Sequence, residues 1–339
     1  MDKINIKRLA EELNLSTSTI SRALQDSYQI GAATKQRVLE LAKKLNYQPN
    51  PHASSLGSSR SKTIAVVIPE VFDSYFALAI NGIEAVAQAQ GYHVLIYLTH
   101  ERLQLEQEIL HAFRSGRVDG VVISVSAETT STAHIQALRA QGVPVVFFDR
   151  AADDVDTARV TTNDTESAYQ ATCHLIERRC TTLLLLSISR HLSIGRQRIA
   201  GYRQALTEHG LAFRDDDIVD CGQDPEANRE LLEATLRARP GIDGIISTVE
   251  MLTESTYQAC YALHRRIPQD VKVVSFYNSR SAAILNPSLT TISQPAFEMG
   301  KTAATLLLKA LRNPKSTLVA ENVVLPSVLT IRNSTASIG

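Results

Sequence analysis

The chain has 339 residues and four cysteines. No C-x-x-C pair occurs, and in a chain of this size the cysteines are expected to be reduced core thiols rather than a disulfide framework. No apolar run approaches membrane-spanning length. Its 35 Lys and Arg balance its 35 Asp and Glu, but residues 1–62 hold ten basic against five acidic side chains, whereas residues 63–339 hold 25 against 30. A basic head on an acidic body indicates a polyanionic partner.

The first predicted element is an amphipathic helix. Its apolar residues recur at i, i+3, i+4 and i+7, at Ile6, Leu9, Ala10 and Leu13. Only Asn14 and Leu15 separate it from Ser16, which is a suitable N-cap for a second helix because its hydroxyl can accept from free backbone N–H groups. Two short helices joined by a tight turn are typical of a helix-turn-helix.

The second predicted helix lies in the stretch LSTSTISRAL at residues 15–24. Its apolar stripe is thin and consists of Ile20, Ala23 and Leu24. The opposite face carries Thr17, Ser18, Ser21, Arg22 and Gln25. Short hydroxyls and one Arg allow close approach to a polar surface, and the N-terminal end of the helix suits a phosphate. An ordinary solvated helix face is the alternative interpretation.

A third helix is predicted after Gly31. The same apolar spacing recurs at Val38, Leu41, Ala42 and Leu45. Three such stripes can close a small all-α core that is marginal alone.

The next segment, YQPNPHASSLGSSRSK at 47–62, has the composition of a flexible linker. However, Asn50 before Pro51 is an N-cap followed by the residue best suited to the first helical position. Ala53 and Leu56 continue with a three-residue step, and Gly57 is a plausible end. The segment could therefore form a short helix only when something stabilises it, with Leu56 exposed as an apolar wedge for the minor groove.

The remaining 277 residues alternate apolar runs of strand length with amphipathic helical stretches such as 76–90 and 103–115. The first set of runs covers 63–69, 93–98, 119–125 and 144–149, and the second covers 181–187, 217–221, 243–248 and 271–276. Near-continuous Val and Ile runs predict parallel sheets covered on both faces. The restart of the pattern predicts two doubly wound lobes with a ligand cleft between them.

Several chemistries lack their sequence signature. The chain contains no G-x-G, no phosphate-loop motif, no G-x-S-x-G and no H-E-x-x-H, and its nine His residues show no metal-like spacing. We therefore expect no enzyme activity, no cofactor and no metal. The N-terminus MDKINIKRLAEEL has no secretory apolar region, which predicts a cytoplasmic protein.

Residues 6–56 resemble the DNA-binding head and hinge of the lactose/galactose-repressor (LacI/GalR) family of bacterial regulators. The matching pieces are LAEELNLSTSTISRAL, TKQRVLELAKKLNYQPN and the spacing of Asn50, Ala53 and Leu56. The resemblance implies that base edges in the major groove are read by Thr17, Ser18 and Arg22. It implies that the helix is positioned mainly on phosphates by Ser16, Thr19, Ser21 and Gln29. Arg22 is the expected guanine contact, and the hinge helices of two subunits would open a central base step with Leu56.

The resemblance continues through GIEAVAQAQGY, VVFFDR, HLIERR, RQRIAGYRQAL and LTTISQPAFEMGKTAATLLLKAL, so it covers nearly the whole chain. It implies that the effector cleft is lined by Tyr75, Phe76, Asp149 and Arg198, and we place Tyr277 there as well. Arg198 follows a buried strand in a loop-to-helix segment, where it could bind the polar or anionic end of a ligand. Arg198 could also be a surface residue, and Tyr75 and Phe76 could be core aromatics.

The chain also departs from the family pattern within this region. At 275–278 this chain has S-F-Y-N where the family has a G-F-D-D-like stretch, and at Val249 and Glu250 it has V-E where the family has N-D. At 73–76 it has D-S-Y-F in place of N-P-F-F, and at 163–164 it has N-D in place of D-N. The loss of an Asp to Tyr277 and of an Asn to Val249 makes the cleft less suited to a bare sugar, because a site built for hydroxyls discriminates through paired polar groups. A sugar derivative, a phosphorylated or aromatic effector, and no effector all stay open.

The predicted fold is α/β, with an N-terminal all-α helix-turn-helix head and a two-lobed, doubly wound body like the periplasmic binding proteins. The predicted domains are the head at 1–46, the hinge helix or linker at 47–62, and the effector-binding and dimerisation body at 63–339. We expect a homodimeric repressor that binds a pseudo-palindromic DNA operator under control of a small molecule such as a sugar. A metabolite receptor without DNA function and an α/β enzyme are the competing classes. The basic helix-turn-helix and the lack of a secretory signal count against the receptor, and the lack of a nucleophile–base or metal constellation counts against the enzyme.

Overall fold

The computed structural model describes residues 5–24, 26–47, 61–313 and 321–337. The chain divides into two compact units, residues 1–61 and 62–339. The predicted hinge residues Asn50, Ala53 and Leu56 lie outside the described residues. No helix in the described part of the chain combines the length and the apolar character needed to cross a lipid bilayer.

Three short helices form the first unit: α1 (Ile6–Leu13), α2 (Thr17–Leu24) and α3 (Ala32–Lys44). The Arg8 backbone N–H donates to Asn5 Oδ1 (3.1 Å), which caps α1. The helix ends at Asn14, which adopts the left-handed conformation (φ 53°). The buried core consists of Leu9, Ala10, Ile20, Ala23, Val38 and Ala42. The predicted apolar stripes converge in this core, so the three-helix head is confirmed.

The second unit opens with three strand–helix pairs followed by two further strands. These elements are β1 (Thr63–Ile68), α4 (Ser74–Ala89), β2 (His93–Leu98), α5 (Leu103–Phe113), β3 (Gly120–Ile123), α6 (Ala133–Ala140), β4 (Val145–Phe148) and β5 (Arg159–Thr162). All of their strand pairings are parallel. Every residue of β3 and β4 is buried, as expected for a sheet covered on both faces.

The pattern then repeats in a second lobe. Its elements are α7 (Asp164–Glu177), β6 (Leu183–Ser187), α8 (Ser193–Glu208), β7 (Ile218–Asp220), α9 (Pro225–Ala238), β8 (Gly244–Ser247), α10 (Glu250–Ala262), β9 (Lys272–Phe276) and β10 (Thr290–Ser293). The eight apolar runs singled out in the sequence all become strands, and the doubly wound, two-lobed fold is confirmed.

The last three elements are α11 (Ala296–Arg312), β11 (Asn322–Leu325) and β12 (Val328–Thr330). The first two lie in the first lobe and the third lies in the second lobe. Helix α11 packs in the core of the first lobe, β11 pairs in parallel with β5, and β12 pairs antiparallel with β10. The sheet orders are β11-β5-β4-β3-β1-β2 and β12-β10-β9-β8-β6-β7. The chain therefore crosses between the lobes after β5, after β10 and after β11, which the strand–helix rhythm did not predict.

Two glycines hold α11 against α4. A Cβ atom added to Gly82 would lie 2.0 Å from the Phe297 carbonyl oxygen, and one added to Gly300 would lie 2.0 Å from the Ala79 carbonyl oxygen. Only glycine permits backbones to approach this closely. The crossing fixes α4 on the first lobe and so positions the start of that helix, which faces the second lobe.

Candidate functional site

Helix α2 buries its thin apolar stripe and leaves its polar face in solvent. Its buried residues are Ile20 and Ala23. The exposed members of the predicted DNA-binding set are Ser16, Thr17, Ser18, Arg22 and Gln29. The half-buried members are Thr19 and Ser21. All seven lie between positions 16 and 29, in α2 or close to its ends.

The start of α2 is held by Ser16. Its Oγ accepts from the Thr19 backbone N–H (3.1 Å), which confirms the predicted N-cap. The same hydroxyl forms hydrogen bonds with the hydroxyls of Ser18 and Thr19, both at 2.8 Å. These contacts fix the first turn, whose N–H groups and dipole favour an anion.

Basic side chains outnumber acidic ones by seven to four among the described residues of this unit. Its exposed basic side chains are Lys7, Arg8, Arg22, Arg37, Lys43 and Lys44. Arg22 forms no ion pair with any residue that the structure describes, so its guanidinium is available to a partner. A cationic surface around a polar helix face suits a phosphate backbone.

A cleft of about 710 Å³ lies between the lobes of the second unit, beyond the carboxyl ends of β1, β4, β8 and β9. This is the position at which doubly wound sheets bind ligands, and the volume is in the range of small-molecule sites. The structure places all five predicted effector residues in the wall of this cleft: Tyr75, Phe76, Asp149, Arg198 and Tyr277.

Arg198 is buried and has protein partners on three sides. Its Nε donates to Asp164 Oδ1 (2.7 Å), and its Nη1 donates to the Thr248 carbonyl oxygen (2.5 Å). Its guanidinium also lies over the Phe276 ring, 3.9 Å from the centroid. The surface-residue alternative for Arg198 is therefore wrong. Its charge is already paired, which leaves Nη2 for a ligand atom.

Asp149 and Arg150 follow β4 and are both buried in the cleft wall. Ser124 Oγ donates to Asp149 Oδ2 (3.2 Å), whereas Arg150 Nη1 donates to both oxygens of Glu101 (2.9 and 2.7 Å). Burial raises the pKa of Asp149 above its ordinary value, although Arg150 and Arg198 oppose this effect. The cleft wall thus contains a buried charged network.

Tyr75 and Phe76 belong both to the core of the first lobe and to the wall of the cleft. The ring of Phe76 makes edge contacts with Tyr75 (5.2 Å between centroids) and with Phe148 (6.1 Å). Tyr75 Oη donates to Met299 Sδ (3.2 Å). Tyr277 Oη forms a hydrogen bond with Ser281 Oγ (2.9 Å). Tyr75 and Phe76 are therefore core residues of the first lobe whose surfaces also face the cleft.

Glu250, the first residue of α10, bridges the two lobes. Its carboxylate accepts from Ser74 of the first lobe, through the backbone N–H (2.9 Å) and Oγ (2.5 Å). It also accepts from the backbone N–H groups of Asn278 (2.5 Å) and Ser279 (3.0 Å) in the second lobe. One carboxylate therefore accepts four hydrogen bonds and connects the lobes across the cleft.

Comparison with known families identifies both units. The family described as "Bacterial regulatory proteins, lacI family" matches residues 5–50. The family described as "Periplasmic binding proteins and sugar binding domain of LacI family" matches residues 61–333. The chain belongs to the LacI family. It is a DNA-binding transcription regulator and not an enzyme, as predicted.

LacI-family relatives align over nearly the whole chain. The ribose operon repressor of Halalkalibacterium halodurans is 27% identical over 330 residues, which cover 97% of this chain and 96% of that protein. Catabolite control protein A of Priestia megaterium is 26% identical over 333 residues, 98% of this chain and 99% of its own. The structure of the lac repressor dimer bound to operator and the anti-inducer ONPF has the same fold, with a TM-score of 0.83, 20% identity and coverage of 99% and 100%.

The LacI-family pattern did not reveal every residue of the cleft. Arg150, Glu101 and Asp164 form its buried ion pairs, and Glu250 bridges it, but none of them was predicted as a site residue. The D-R pair after β4 could have identified Asp149 and Arg150 together, because ligand sites lie at the ends of strands in these sheets.

Ser275 is fully buried, and its Oγ forms a hydrogen bond with Thr253 Oγ1 (2.7 Å).

Proposed function

We infer that this LacI-family regulator is a cytoplasmic repressor that binds a pseudo-palindromic operator as a homodimer and responds to a small molecule in the cleft. The observation that carries this proposal is the pairing of a solvated, cationic helix-turn-helix with a cleft lined by buried polar groups. The relatives named as repressors support the direction of regulation.

On the DNA side, we assign base reading to Thr17, Ser18 and Arg22. We assign phosphate contacts to Ser16, Thr19, Ser21 and Gln29. The role of Arg22 is supported by its exposure, since its guanidinium is free to form the bidentate contact that guanine O6 and N7 accept. The hinge roles of Asn50, Ala53 and Leu56 belong to the same proposal, as does the division into residues 1–46, 47–62 and 63–339.

On the effector side, we assign ligand contacts to Tyr75, Phe76, Asp149, Arg198 and Tyr277. A ligand can shift the arrangement of the lobes only by the difference between its affinities for two arrangements. Glu250 joins the lobes across the same cleft, so a ligand that adds to or replaces its contacts with Ser74 would have such a difference.

Gel retardation with fragments of the source genome tests the regulator proposal. We expect a small set of fragments to be retarded at protein concentrations at which bulk DNA stays free, with affinity that falls steeply as salt rises because phosphate contacts release counterions. Retardation of all fragments alike, or of none, would contradict a sequence-specific regulator. Deletion of residues 1–61 is the control and should abolish binding.

The proposed dimer has a candidate surface on the first lobe. Strand β2 is the edge of its sheet, and Leu95 and Ile96 are 43% and 46% exposed there, with Leu78 of α4 at 38%. An exposed apolar edge strand is a liability in a monomer, so we assign this surface to a second copy of the chain.

Ile96→Glu should weaken the dimer by about 2 kcal/mol or more, roughly thirty-fold in Kd, because it buries an unpaired charge. Light scattering coupled to size-exclusion chromatography measures the shift to monomer. Leu231→Glu is a matched control, since Leu231 is 40% exposed but lies on α9 of the second lobe. A dimer that survives Ile96→Glu unchanged would remove β2 from the interface.

A further inference from the structure

The charge of the cleft favours one class of ligand, and the following inference rests on the proposed function. Carboxylates in the cleft wall outnumber guanidiniums by six to two. The carboxylates belong to Glu70, Asp73, Glu101, Asp149, Glu250 and Glu254, and the guanidiniums to Arg150 and Arg198. An anion entering this space meets a surplus of like charge, whereas a cation is attracted.

Neither guanidinium is free to offset a ligand's negative charge. Arg150 Nη1 lies 2.7 Å from Glu101 Oε2, and Arg198 Nε lies 2.7 Å from Asp164 Oδ1. All four side chains are nine-tenths or more buried, so these pairs are little screened by solvent. The expectation that Arg198 binds an anionic end of the ligand therefore loses its electrostatic basis.

Both lobes contribute carboxylates that form no ion pair with a described residue. Asp73 precedes α4 on the first lobe, and its carboxylate forms no hydrogen bond or ion pair with any described residue. Glu250 and Glu254 share one face of α10 at i and i+4 on the second lobe. Burial and the facing Glu250 raise the pKa of Asp73 to about 7, and the charge of Arg150 opposes this rise only in part.

A buried donor also lacks an acceptor. Arg150 is 4% exposed, and its Nε makes no hydrogen bond in the described structure. Asp149 Oδ2 lies 3.8 Å from this atom, which is beyond hydrogen-bonding distance. An oxygen atom of a ligand that enters while the lobes are apart would satisfy this donor.

We propose that the cleft selects a small hydroxylated amine, of the amino-sugar class, whose ammonium group lies among Asp73, Glu250 and Glu254. The ammonium would be attracted to carboxylates of both lobes at once. It would therefore bind the closed arrangement more tightly than the open one, which is the differential affinity that a regulatory ligand requires. Sugar phosphates and sugar acids are excluded by the same charges.

Isothermal titration calorimetry of the full-length chain tests this class with matched sets of probes. Each set contains glucose, galactose or mannose, its 2-amino-2-deoxy derivative and its 6-phosphate. We expect an amino sugar to bind about ten-fold more tightly than its neutral parent, since hydrogen bonds to a charged group are the strong ones. The phosphates should give no binding heat.

Variants locate the ammonium site. Asp73→Asn and Glu254→Gln preserve side-chain shape and should each weaken amino-sugar binding about ten-fold. Glu230→Gln removes a negative charge from an exposed position of α9 outside the cleft wall, and it should change nothing. Unaltered affinity in both cleft variants would overturn the assignment.

The remaining outcomes are equally decisive. A 6-phosphate that binds more tightly than its parent, equal affinity for an amino sugar and its parent, or no binding by any of the three amino sugars would each refute the ligand class. None of these results bears on DNA binding. The regulator proposal is tested separately by gel retardation, and it fails if no genomic fragment is retarded selectively.

Discussion

Asp164→Ala should lower the free energy of unfolding of the body by about 3–5 kcal/mol, because it leaves a buried guanidinium without its counter-charge. Asp164 is 2% and Arg198 is 3% exposed. The carboxylate accepts from Arg198 Nε (2.7 Å) and from Thr162 Oγ1 (2.9 Å), so both of its oxygens are used. Denaturant unfolding followed by circular dichroism measures the loss.

Asp153→Ala is the matched control for this loss. Asp153 forms a shorter ion pair with Arg196 (2.5 Å), but the two side chains are 62% and 54% exposed. Exposed pairs contribute at most about 1 kcal/mol, so the control should unfold nearly as the parent does. Equal losses in the two variants would contradict the assigned importance of burial. Replacing both Asp164 and Arg198 with apolar residues should restore part of the stability, because no buried charge is then left alone.

The sequence allowed most of the fold to be predicted, since local periodicity determines where strands and helices form. The run at 63–69 became β1 (Thr63–Ile68), and the stripe from Ile6 to Leu13 became α1 with the predicted face buried. The return of α11 to the first lobe was not predictable in this way. It depends on the close approach of Gly82 and Gly300 to a helix far away in the chain, which no local pattern records.

For the cleft residues too, the position along a strand was predictable from the sequence, whereas contacts between distant parts of the chain were not. The position of Asp149 at a strand end was readable, because the carboxyl ends of parallel strands form the ligand edge. The pairing of Arg198 with Asp164 was not, because it joins the first residue of α7 to the second turn of α8. Glu250 departs from the family pattern, but its contact with Ser74 requires the facing lobe. Side-chain partners thus depend on tertiary packing that spacing alone does not determine.

The second large effect is expected at the recognition helix. Arg22→Ala should cost about 1–3 kcal/mol with the preferred operator, and the loss should be confined to one base-pair position in each half-site. The physical reason is that a bidentate guanidinium contact distinguishes guanine from the other bases, whereas a phosphate contact does not. Arg22 is exposed on the polar face of α2 and pairs with no described carboxylate, so no internal contact is lost with it.

Competition binding with an operator series, each member altered at one position, measures this effect. With the parent protein, one position should show a strong preference for G·C, and with Arg22→Ala that preference should disappear while the other positions keep theirs. Arg37→Ala is the control: Arg37 is exposed on α3 of the same unit, and its loss should weaken binding evenly, if at all. An even loss across the series for Arg22→Ala would instead identify Arg22 as a phosphate contact and transfer base reading to Thr17 and Ser18, because these two exposed side chains share its face of the helix.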